Sequence, residues 1–321
     1  MTSTSSPRRR LIGQATALAA ASIAAPALAA YDPKLFRIGF QKSASLLTLL
    51  KAQGTLEKRF AAQGIDVRWI EFPAGPQLLE GLNVGSIDFG YVGEAPPIFA
   101  QAAGASFVYV GYERPAPAAE AVLVPKDSPI RTVAELRGRR VALNKGSNVH
   151  YLLVKLLERE GLKYTDVQTV FLPPADARAA FERGSVDAWV IWDPFQAAAE
   201  RQIGARLLAD GKGVVSNHAF FLAEKEYATR RPEVIAAVLD AARAQGSWIV
   251  QNVAEAARQV APVQSLPVEV VEQSLRRYSH DVRPIDDAVL VEQQKIADTF
   301  FDLKLIPKPI RVIEARLLAS R

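Results

Sequence analysis

An internal repeat constrains the fold of this chain more than any other feature of its sequence. Segment 85–95 reads Gly-Ser-Ile-Asp-Phe-Gly-Tyr-Val-Gly-Glu-Ala, and about 100 residues later segment 184–194 reads Gly-Ser-Val-Asp-Ala-Trp-Val-Ile-Trp-Asp-Pro. Each copy runs from a Gly-Ser turn through a short apolar strand to an acidic residue at the start of the next helix. The repeat therefore aligns Gly93 with Trp192, and Glu94 with Asp193.

Two shorter matches extend the repeat towards the N-terminus. Segment 38–43 parallels 141–146, and segment 66–74 parallels 166–174. Three matches in the same order favour two related α/β units over chance similarity among strand–turn–helix segments. Two such units that face each other form a cleft lined by strand ends and helix N-termini, so functional residues are expected there.

The first thirty residues have the pattern of a secretory signal peptide. The arginines at 8–10 precede an apolar, alanine-rich run at 11–25, and Ala-Leu-Ala at 27–29 is a small-residue cleavage motif. The run makes a poor transmembrane helix, because alanine dominates it and no basic stop-transfer flank follows. We therefore expect residues 1–29 to be cleaved and the mature protein to reach the periplasm. Both the general secretory route and the twin-arginine route remain open.

Composition excludes several classes of protein. The formal net charge is +5, and three of the basic residues are the arginines of the predicted leader, so no basic cluster remains that would suit nucleic acid. The chain has no cysteine, which excludes disulfides, thiolate metal sites and lipid attachment through cysteine. Its 321 residues are enough for two domains of ordinary size.

The order of the predicted elements divides the mature chain into two lobes. The proline-rich segment 114–118 suits a first connection between them, and segment 214–223, rich in Val and Phe, suits a second. We therefore expect a discontinuous lobe I of residues 30–119 and 215–321, and a lobe II of residues 120–214. The remainder of the chain is predicted to be helical to its end. Two connecting strands form a hinge that suits closure on a ligand.

Recognised catalytic and metal-binding patterns do not occur in the sequence. The three histidines show no metal-ligand spacing, and both the Gly-x-Ser-x-Gly nucleophile turn and the phosphate-binding Gly-x-x-x-x-Gly-Lys-Ser/Thr motif are missing. Glu94 and Asp193 could act as an acid/base pair across the cleft, but carboxylates at helix starts more often stabilise the helix itself. The sequence thus predicts a binding protein without a cofactor or a metal, and an enzyme is the weaker alternative.

Helix starts at the cleft favour the binding of a small anion. The turns at Gln41, Gly93 and Gly146 each lead into a helix, whose first N–H groups and positive dipole end can hold an oxyanion. Gly93 has no side chain and lets an anion approach the backbone closely. Ser147 and Asn148 can either donate hydrogen bonds to that anion or cap their own helix.

Further candidates surround these helix starts. Trp192, at a strand end, suits an apolar wall for a ligand, whereas Trp189 in mid-strand is expected in the core. His150 could donate to an anion, but a surface or capping position is equally open. Lys42 and Lys145 are the only charges expected nearby, so the anion should be held mainly by neutral donors.

The sequence resembles the periplasmic aliphatic sulfonate-binding proteins of ABC importers, within the nitrate/taurine/sulfonate-binding family. The stretches that carry this resemblance span nearly the whole mature chain, and they are Gln41-Lys42, 71–77, 83–88, 96–104, 145–147, 175–181 and 192–194. The resemblance implies the type II periplasmic binding protein fold, in which two α/β lobes joined by a two-strand hinge enclose a ligand cleft.

The resemblance also implies a function and a site. A protein of this family, expected to be a monomer, captures an alkanesulfonate as a sulfur source and delivers it to a permease in the inner membrane. Carried over position by position, the ligand contacts fall on Gln41, Gly93, Glu94, Ser147, Asn148 and Trp192. Taurine, nitrate or a pyrimidine precursor are alternative ligands on the same fold. An exported sensor module and an enzyme are the alternative functions outside transport.

Overall fold

The computed structural model describes residues 1–2 and 31–317 of the chain. Apart from its first two residues, the predicted signal peptide lies outside the described residues. Within the described part, eleven strands form two separate sheets, and α-helices pack against both. No described helix combines the length and apolar character needed to cross a membrane.

The strands are short and mostly buried. In chain order they are β1 (Leu35–Phe40), β2 (Asp66–Glu71), β3 (Phe89–Gly93), β4 (Phe107–Glu113), β5 (Glu120–Val124), β6 (Arg140–Leu143), β7 (Gln168–Phe171), β8 (Ala188–Trp192), β9 (Arg206–Asp210), β10 (Ala219–Glu224) and β11 (Val282–Arg283). The larger sheet has the order β11-β4-β10-β3-β1-β2, and the smaller sheet has the order β7-β6-β8-β5-β9.

The helices follow most strands in turn. In chain order they are α1 (Ser45–Ala52), α2 (Thr55–Ala61), α3 (Gly75–Asn83), α4 (Ala95–Ala102), α5 (Asn148–Arg159), α6 (Pro174–Glu182), α7 (Phe195–Gln202), α8 (Lys225–Arg230), α9 (Pro232–Gln251), α10 (Val253–Gln264), α11 (Val268–Leu275) and α12 (Asp287–Asp302). We call the larger sheet with α1–α4 and α8–α12 lobe I, and the smaller sheet with α5–α7 lobe II.

The sequence repeat is a repeat of topology. In lobe I, β2, β1 and β3 are parallel neighbours, and β10 runs antiparallel beside β3. In lobe II, β7, β6 and β8 are parallel neighbours, and β5 runs antiparallel beside β8. The antiparallel strand of each lobe is the one that the chain enters directly from the other lobe. The ends of β3 and β8 are therefore equivalent places in the two lobes.

A repeated hydrogen bond explains why the Gly-Ser-x-Asp turns match in identity. Asp88 accepts a hydrogen bond at 2.7 Å from the backbone N–H of Arg37, which lies in the neighbouring strand, and it also binds the Arg37 guanidinium. Asp187 accepts the same bond from Arg140 at 2.8 Å and contacts its guanidinium too. The two aspartates thus join neighbouring strands far from the cleft, so their part in the repeat is structural.

Two crossings connect the lobes side by side, at residues 114–119 and 211–218. The N–H of Gly211 donates to the carbonyl of Pro117 at 2.9 Å, and the Asn217 side chain donates to the carbonyl of Ala116 at 2.9 Å. These bonds tie the crossings into one narrow hinge. We propose that the lobes divide at the boundaries predicted above, because the crossings lie between the two groups of strands.

The prediction that the chain is helical to its end is wrong in two places. Strand β11 pairs antiparallel with the last residues of β4, and the last α-helix ends at Asp302. An edge strand exposes a row of unpaired backbone groups, and β11 covers part of that row at the hinge end of β4. N-terminal to β11, the helical prediction holds for α9. This helix of 20 residues begins with Pro232 and buries Ile235, Val238 and Ala242.

Candidate functional site

A cavity of about 50 Å³ lies between the lobes, beside the two crossings. One water needs only about 10–15 Å³ on this measure, so the cavity has room for a small ligand. Its walls come from the ends of β1, β3 and β8, from the start of α5, and from both crossings. A ligand in this cavity would touch both lobes at once.

Five of the six predicted ligand-binding residues line this cavity, and they are Gln41, Gly93, Ser147, Asn148 and Trp192. Gln41 follows β1 directly, and its side chain is held by a 3.2 Å hydrogen bond to the carbonyl of Tyr91. The structure thus brings together residues that lie up to about 150 positions apart, as the repeat implies. Their contact with a ligand stays a prediction.

Gly93 lies where the two lobes come closest. A Cβ at this position would stand 1.9 Å from Oδ1 of Asn148, which belongs to lobe II. Asn148 in turn donates to Oδ1 of Asn217 at 2.5 Å, and its own Oδ1 is 3.5 Å from the N–H of Ala95. The missing side chain therefore lets α5 approach the start of α4, which is a further use for this glycine beside the predicted approach of an anion.

Two helices begin at the cavity, α4 after Glu94 and α5 after Ser147. Neither N-cap residue accepts a side-chain hydrogen bond from its own helix, and Ser147 donates its hydroxyl to the carbonyl of Asn144 at 2.7 Å. In α4 the first turn contains Pro96 and Pro97, which have no N–H, and the N–H of Ala95 faces Oδ1 of Asn148. The first-turn N–H groups without a side-chain cap are therefore those at the start of α5, while the positive ends of both dipoles lie at the cavity. This arrangement suits an anionic group.

Glu94 does not line the cavity, unlike the other predicted residues. Its side chain is buried and accepts a 2.8 Å hydrogen bond from the N–H of His218, while its Oε1 has no partner among the described residues. It lies instead on a second cavity of about 180 Å³, with His218 and Glu292. Burial raises the pKa of Glu94 to about 8, and the nearby charge of Glu292 adds to that effect. The structure thus places this carboxylate away from the predicted anion site.

Trp192 and Trp189 occupy the two environments predicted for them. Trp192, at the end of β8, lines the cavity and packs edge-to-face against Phe195 with ring centroids 6.1 Å apart. Trp189 is fully buried in the core of lobe II, which confirms the prediction for this residue. The indole at 192 thus provides apolar surface opposite the backbone of Gly93.

Asp193 follows Trp192 but points away from the cavity. It is fully buried and lies 3.2 Å from the guanidinium of Arg277, which comes from lobe I and also binds Glu200. Burial raises the pKa of Asp193 to about 6, although the charge of Arg277 acts in the opposite direction. Asp193 and Glu94 therefore do not flank the cavity as an acid/base pair.

The remaining candidates lie outside the cavity. His150 is fully buried against Phe99, and its Nδ1 accepts a hydrogen bond from the N–H of Gly146 at 3.3 Å. Burial lowers the pKa of His150 to about 4, so this imidazole is neutral at pH 7. It is neither a surface residue nor a cavity residue. Lys42 and Lys145 do not line the cavity either.

Six polar lining residues were missed from the sequence, and they are Ser43, Tyr91, Glu113, Arg114, Asn217 and Tyr278. The prediction of a cavity with lysines as its only nearby charges is therefore wrong, because the charged lining residues are Glu113 and Arg114. Both lie where β4 enters the first crossing. The predicted hinge could have identified these two residues, because a residue at a crossing lies near the cleft. Among the described residues, no group of three or more acidic or histidine side chains could hold a metal ion.

Comparison with known proteins relates the chain to one family. The NMT1/THI5-like family matches residues 59–256 of the chain. A protein of Escherichia coli (strain K12), described as an aliphatic sulfonates-binding protein, is 45% identical over 282 residues, which is 88% of each chain. The chain belongs to the aliphatic sulfonate-binding proteins.

Two solved structures of this family confirm the fold. The alkanesulfonate-binding protein SsuA of Xanthomonas axonopodis pv. citri, bound to MOPS, superposes with a TM-score of 0.84 at 44% identity, covering 89% of this chain and 99% of that one. The periplasmic aliphatic sulphonate-binding protein SsuA of Escherichia coli gives 0.81 at 43% identity, with 89% and 98% covered. Both the resemblance and the two-lobed fold class predicted from the sequence are confirmed.

More distant structures share the fold alone. They include the periplasmic nitrate-binding protein NrtA of Synechocystis PCC 6803, at 14% identity and a TM-score of 0.69, and the desulfurization enzyme DSZB, at 17% and 0.63. The fold of the sulfonate-binding proteins is therefore compatible with other ligands and with catalysis. The ligand of this chain therefore depends on the residues of its own cavity, and not on the fold.

Proposed function

We propose that this protein is the solute-binding component of an ABC importer, capturing aliphatic sulfonates in the periplasm and delivering them to a permease in the inner membrane for sulfur acquisition. Membership of the sulfonate-binding family supports this function. The observation that carries it is the composition of the interlobe cavity, where the uncapped start of α5 and the positive end of the α4 dipole accompany the apolar surface of Trp192. This is the arrangement that a molecule with an anionic head and an alkyl tail requires.

The sulfonate head is assigned to the end of the cavity where α4 and α5 begin. A sulfonate has three oxygens that accept hydrogen bonds and carries its negative charge throughout the ordinary pH range. The first-turn N–H groups of α5 and the side-chain amide of Asn148 are donors at this end, and α4 adds the positive end of its dipole. Gly93 leaves the backbone of its strand open to the same oxygens.

The alkyl tail is assigned to the side of Trp192. The indole is partly exposed at the cavity, and Ala116 and Ala219 add small apolar surfaces. Burial of each methylene of the ligand contributes about 0.8 kcal/mol to binding. The alkyl chain therefore supplies affinity, while the helix starts select the head group.

Lobe closure, not a chemical reaction, is the functional event in this proposal. Gly93 and Gln41 belong to lobe I, whereas Ser147, Asn148 and Trp192 belong to lobe II, so the ligand gains its full set of contacts only when the lobes are together. A ligand that contacts both lobes shifts the equilibrium towards the closed form by its differential affinity for that form. The permease would then recognise the closed protein.

A thermal-shift screen across methane-, butane- and hexanesulfonate, taurine, sulfate and nitrate tests the function. A ligand that binds only the folded protein stabilises it by about 2.7 kcal/mol at one hundred times its Kd. We expect sulfonates to raise Tm and sulfate and nitrate to leave it unchanged. A shift with nitrate or sulfate and with no sulfonate would contradict the proposal.

An enzyme on the same fold is the second candidate. The one candidate acid/base pair, Glu94 and Asp193, does not line the cavity. DSZB was also solved as a cysteine-to-serine mutant with biphenyl-2-sulfinic acid, and the present chain contains no cysteine that could act as a thiol nucleophile. Unchanged sulfonates recovered from the protein after long incubation, as followed by NMR, would support binding over turnover.

Cellular location and assembly complete the proposal. We infer that residues 1–29 direct export, that the mature protein is periplasmic, and that it acts as a monomer. Fractionation of cells that express the full chain, with N-terminal sequencing of the exported form, tests the first two points. Light scattering during size exclusion tests the third, and a dimer with or without ligand would contradict it.

A further inference from the structure

Glu113 forms part of the cavity wall at the end away from the helix starts. It ends β4, where it pairs with Ala219 of β10, and Ala219 pairs in turn with Gly93 of β3. Residues directly opposite each other in an antiparallel pair face the same side of the sheet. The three residues therefore form one row along the floor of the cavity, with Gly93 at one end and a carboxylate at the other.

The Glu113 carboxylate is buried and held in place by two neutral donors. The residue is 2% exposed. Its Oε2 accepts a 2.6 Å hydrogen bond from the hydroxyl of Tyr91, and its Oε1 accepts a 2.7 Å bond from the N–H of His280. Burial, with the charge of Glu113 next in size, raises the pKa of the Tyr91 phenol, so that this group keeps its proton and donates it to the carboxylate.

In the described part of the chain, this carboxylate has no lysine or arginine as its partner. Among residues 31–317, no lysine or arginine nitrogen lies within 4.0 Å of Glu113, and the nearest basic group is Nδ1 of His280 at 3.9 Å, beyond hydrogen-bond distance. The other ring nitrogen of His280 faces the carbonyl of Leu275. Arg114, the next residue along, directs its guanidinium to Asp281 instead.

A buried carboxylate without a counter-charge is costly unless something else supplies that charge. Asp193, another buried acid between the lobes, has Arg277 as its partner. Glu113 differs from Asp193 because it lines a cavity in which a ligand can be its partner. Its two protein hydrogen bonds use one lone pair on each oxygen, which leaves acceptor capacity on both.

We propose that Glu113 is a subsite for a positively charged group of the ligand, so that the preferred substrates are zwitterionic aminosulfonates. This inference rests on the proposed sulfonate-binding function and names the substrate class of the same cavity. Two strand spacings, about 10 Å, separate the backbone of Gly93 from that of Glu113, and the glutamate side chain spans part of that distance. A spacer of three or four carbons between sulfonate and ammonium fits the remainder.

Calorimetry with two ligands of equal chain length tests the subsite at pH 7. 3-Aminopropane-1-sulfonate and butane-1-sulfonate differ by an ammonium in place of a terminal methyl group. The wild-type protein is expected to bind the amino compound at least about tenfold more tightly, as charge-assisted hydrogen bonds are strong in a buried site. Equal affinity, or a preference for butanesulfonate, overturns the subsite.

Glu113→Gln identifies the residue responsible, because glutamine keeps the shape and one acceptor but loses the charge. The variant should lose the preference for the amino compound and keep its affinity for butanesulfonate. Glu292→Gln, on the second cavity, makes the same change of charge elsewhere and should keep the wild-type preference. A preference that survives in Glu113→Gln overturns the assignment.

The ligand pair also separates this inference from the function on which it rests. If the wild-type protein binds butanesulfonate and rejects the amino compound, only the subsite fails. If it binds neither compound, the proposed function fails with it. Should Glu113→Gln fold poorly, the preference of the wild-type protein for one ligand of the pair still decides the question.

Discussion

The ends of strands β3 and β8 are equivalent in topology but differ in the size of the last side chain and in the partner of the acid that follows it. β3 ends in Gly93 followed by Glu94, and β8 ends in Trp192 followed by Asp193. At the first position, one lobe has no side chain and the other has the largest one. The glycine admits Asn148 of the facing lobe, whereas the tryptophan fills space itself.

The acidic residues at the second position differ as well. Both are buried and both accept a backbone N–H, Glu94 from His218 and Asp193 from Ala197. Only Asp193 has an arginine partner, Arg277 from the other lobe. Glu94 has no lysine or arginine among its described contacts. A symmetric cleft would need neither difference, so the asymmetry agrees with the proposed ligand that has two unlike ends, and it gives lobe II an ion pair to Arg277 of lobe I.

The largest expected effect comes from a side chain at the glycine. Gly93→Ala places a Cβ 1.9 Å from Oδ1 of Asn148, so either the Asn148 amide leaves its hydrogen bond to Asn217 or the lobes stay further apart. We expect butanesulfonate affinity to fall at least a hundredfold, about 3 kcal/mol or more, by calorimetry. The unfolding free energy of the ligand-free protein should change much less, because an open form relieves the contact.

A double variant tests whether this contact is the cause. The double variant Gly93→Ala/Asn148→Ala lacks the clashing side chain. Its loss of binding free energy should therefore be smaller than the sum of the losses in the two single variants. If the two losses simply add, Gly93 acts through its backbone contact with the anion and not through closure. Wild-type affinity in the single variant would contradict both explanations.

The second effect concerns the charged pair that distinguishes Asp193 from Glu94. Arg277→Met leaves a fully buried carboxylate without its cation, which should lower the free energy of unfolding by about 2–3 kcal/mol at pH 7.5. The pKa of Asp193 is about 6, so its charge is present at that pH. At pH 5 the carboxyl is mostly protonated, and the loss should be smaller.

Denaturant melts of Arg277→Met at both pH values check this expectation. Arg276→Met is the matched control, because Arg276 precedes it but pairs with Glu272 on its own helix and is largely exposed. The control should cost less than about 1 kcal/mol. A loss in Arg277→Met that does not depend on pH would show that packing, and not charge, is what the arginine provides.

The residues found from the sequence and those missed differ in how they reach the cavity. Gly93, Trp192, Gln41 and Asn148 follow repeated strands, and the two copies of the repeat place strand ends at one cleft. Such positions follow from period and topology. The repeat also aligns Asp88 with Asp187, but these carboxylates bind neighbouring strands and do not lie at the cavity. Only the hydrogen-bond geometry shows this structural role.

Residues outside the repeat could not be placed in this way. Asn217 and Tyr278 come from the second crossing and from the turn after α11, and their distance from Gly93 depends on how the C-terminal helices fold back onto lobe I. The direction of the Glu94 side chain depends on His218, 124 residues further along the chain. Long-range pairings of this kind have no counterpart in local pattern or propensity.

The third effect concerns Glu94, the acid without a cation. Its pKa is raised to about 8 in the folded protein, mainly by burial, whereas an unfolded glutamate titrates near 4.3. The unfolded chain therefore loses this proton first, and the contribution of Glu94 to stability is lost as pH rises from about 4.5 through 8. Glu94→Gln removes that titration and should be more stable than the wild type by roughly 2 kcal/mol at pH 6, and by a larger margin at pH 9.

Thermal melts of Glu94→Gln from pH 4 to pH 9 check the sign. The two proteins should be nearly equal at pH 4, where Glu94 is protonated in both states, and they should diverge above pH 5. Glu226→Gln is the control, since this carboxylate is half exposed on α8 and does not line the cavity of Glu94. A Glu94→Gln variant that is less stable at pH 9 would mean that an ionised Glu94 has a partner at the hinge.

The smallest effect, and the most specific, concerns the tryptophan. If Trp192 is the apolar wall of the cavity, affinity should rise by about 0.8 kcal/mol for each methylene of the ligand until the space beside the indole is filled. Trp192→Ala should flatten that rise while leaving methanesulfonate nearly unaffected, because the head group lies against Gly93 and not against the ring. Calorimetry of methane-, butane- and hexanesulfonate with both proteins measures the two slopes.

Trp189→Phe, in the core of the same strand, is the control and should lower stability without changing the slope. An equal loss for every chain length in Trp192→Ala would mean that the indole supports lobe closure, and the contrast between the two strand ends would then lie in packing and not in the ligand.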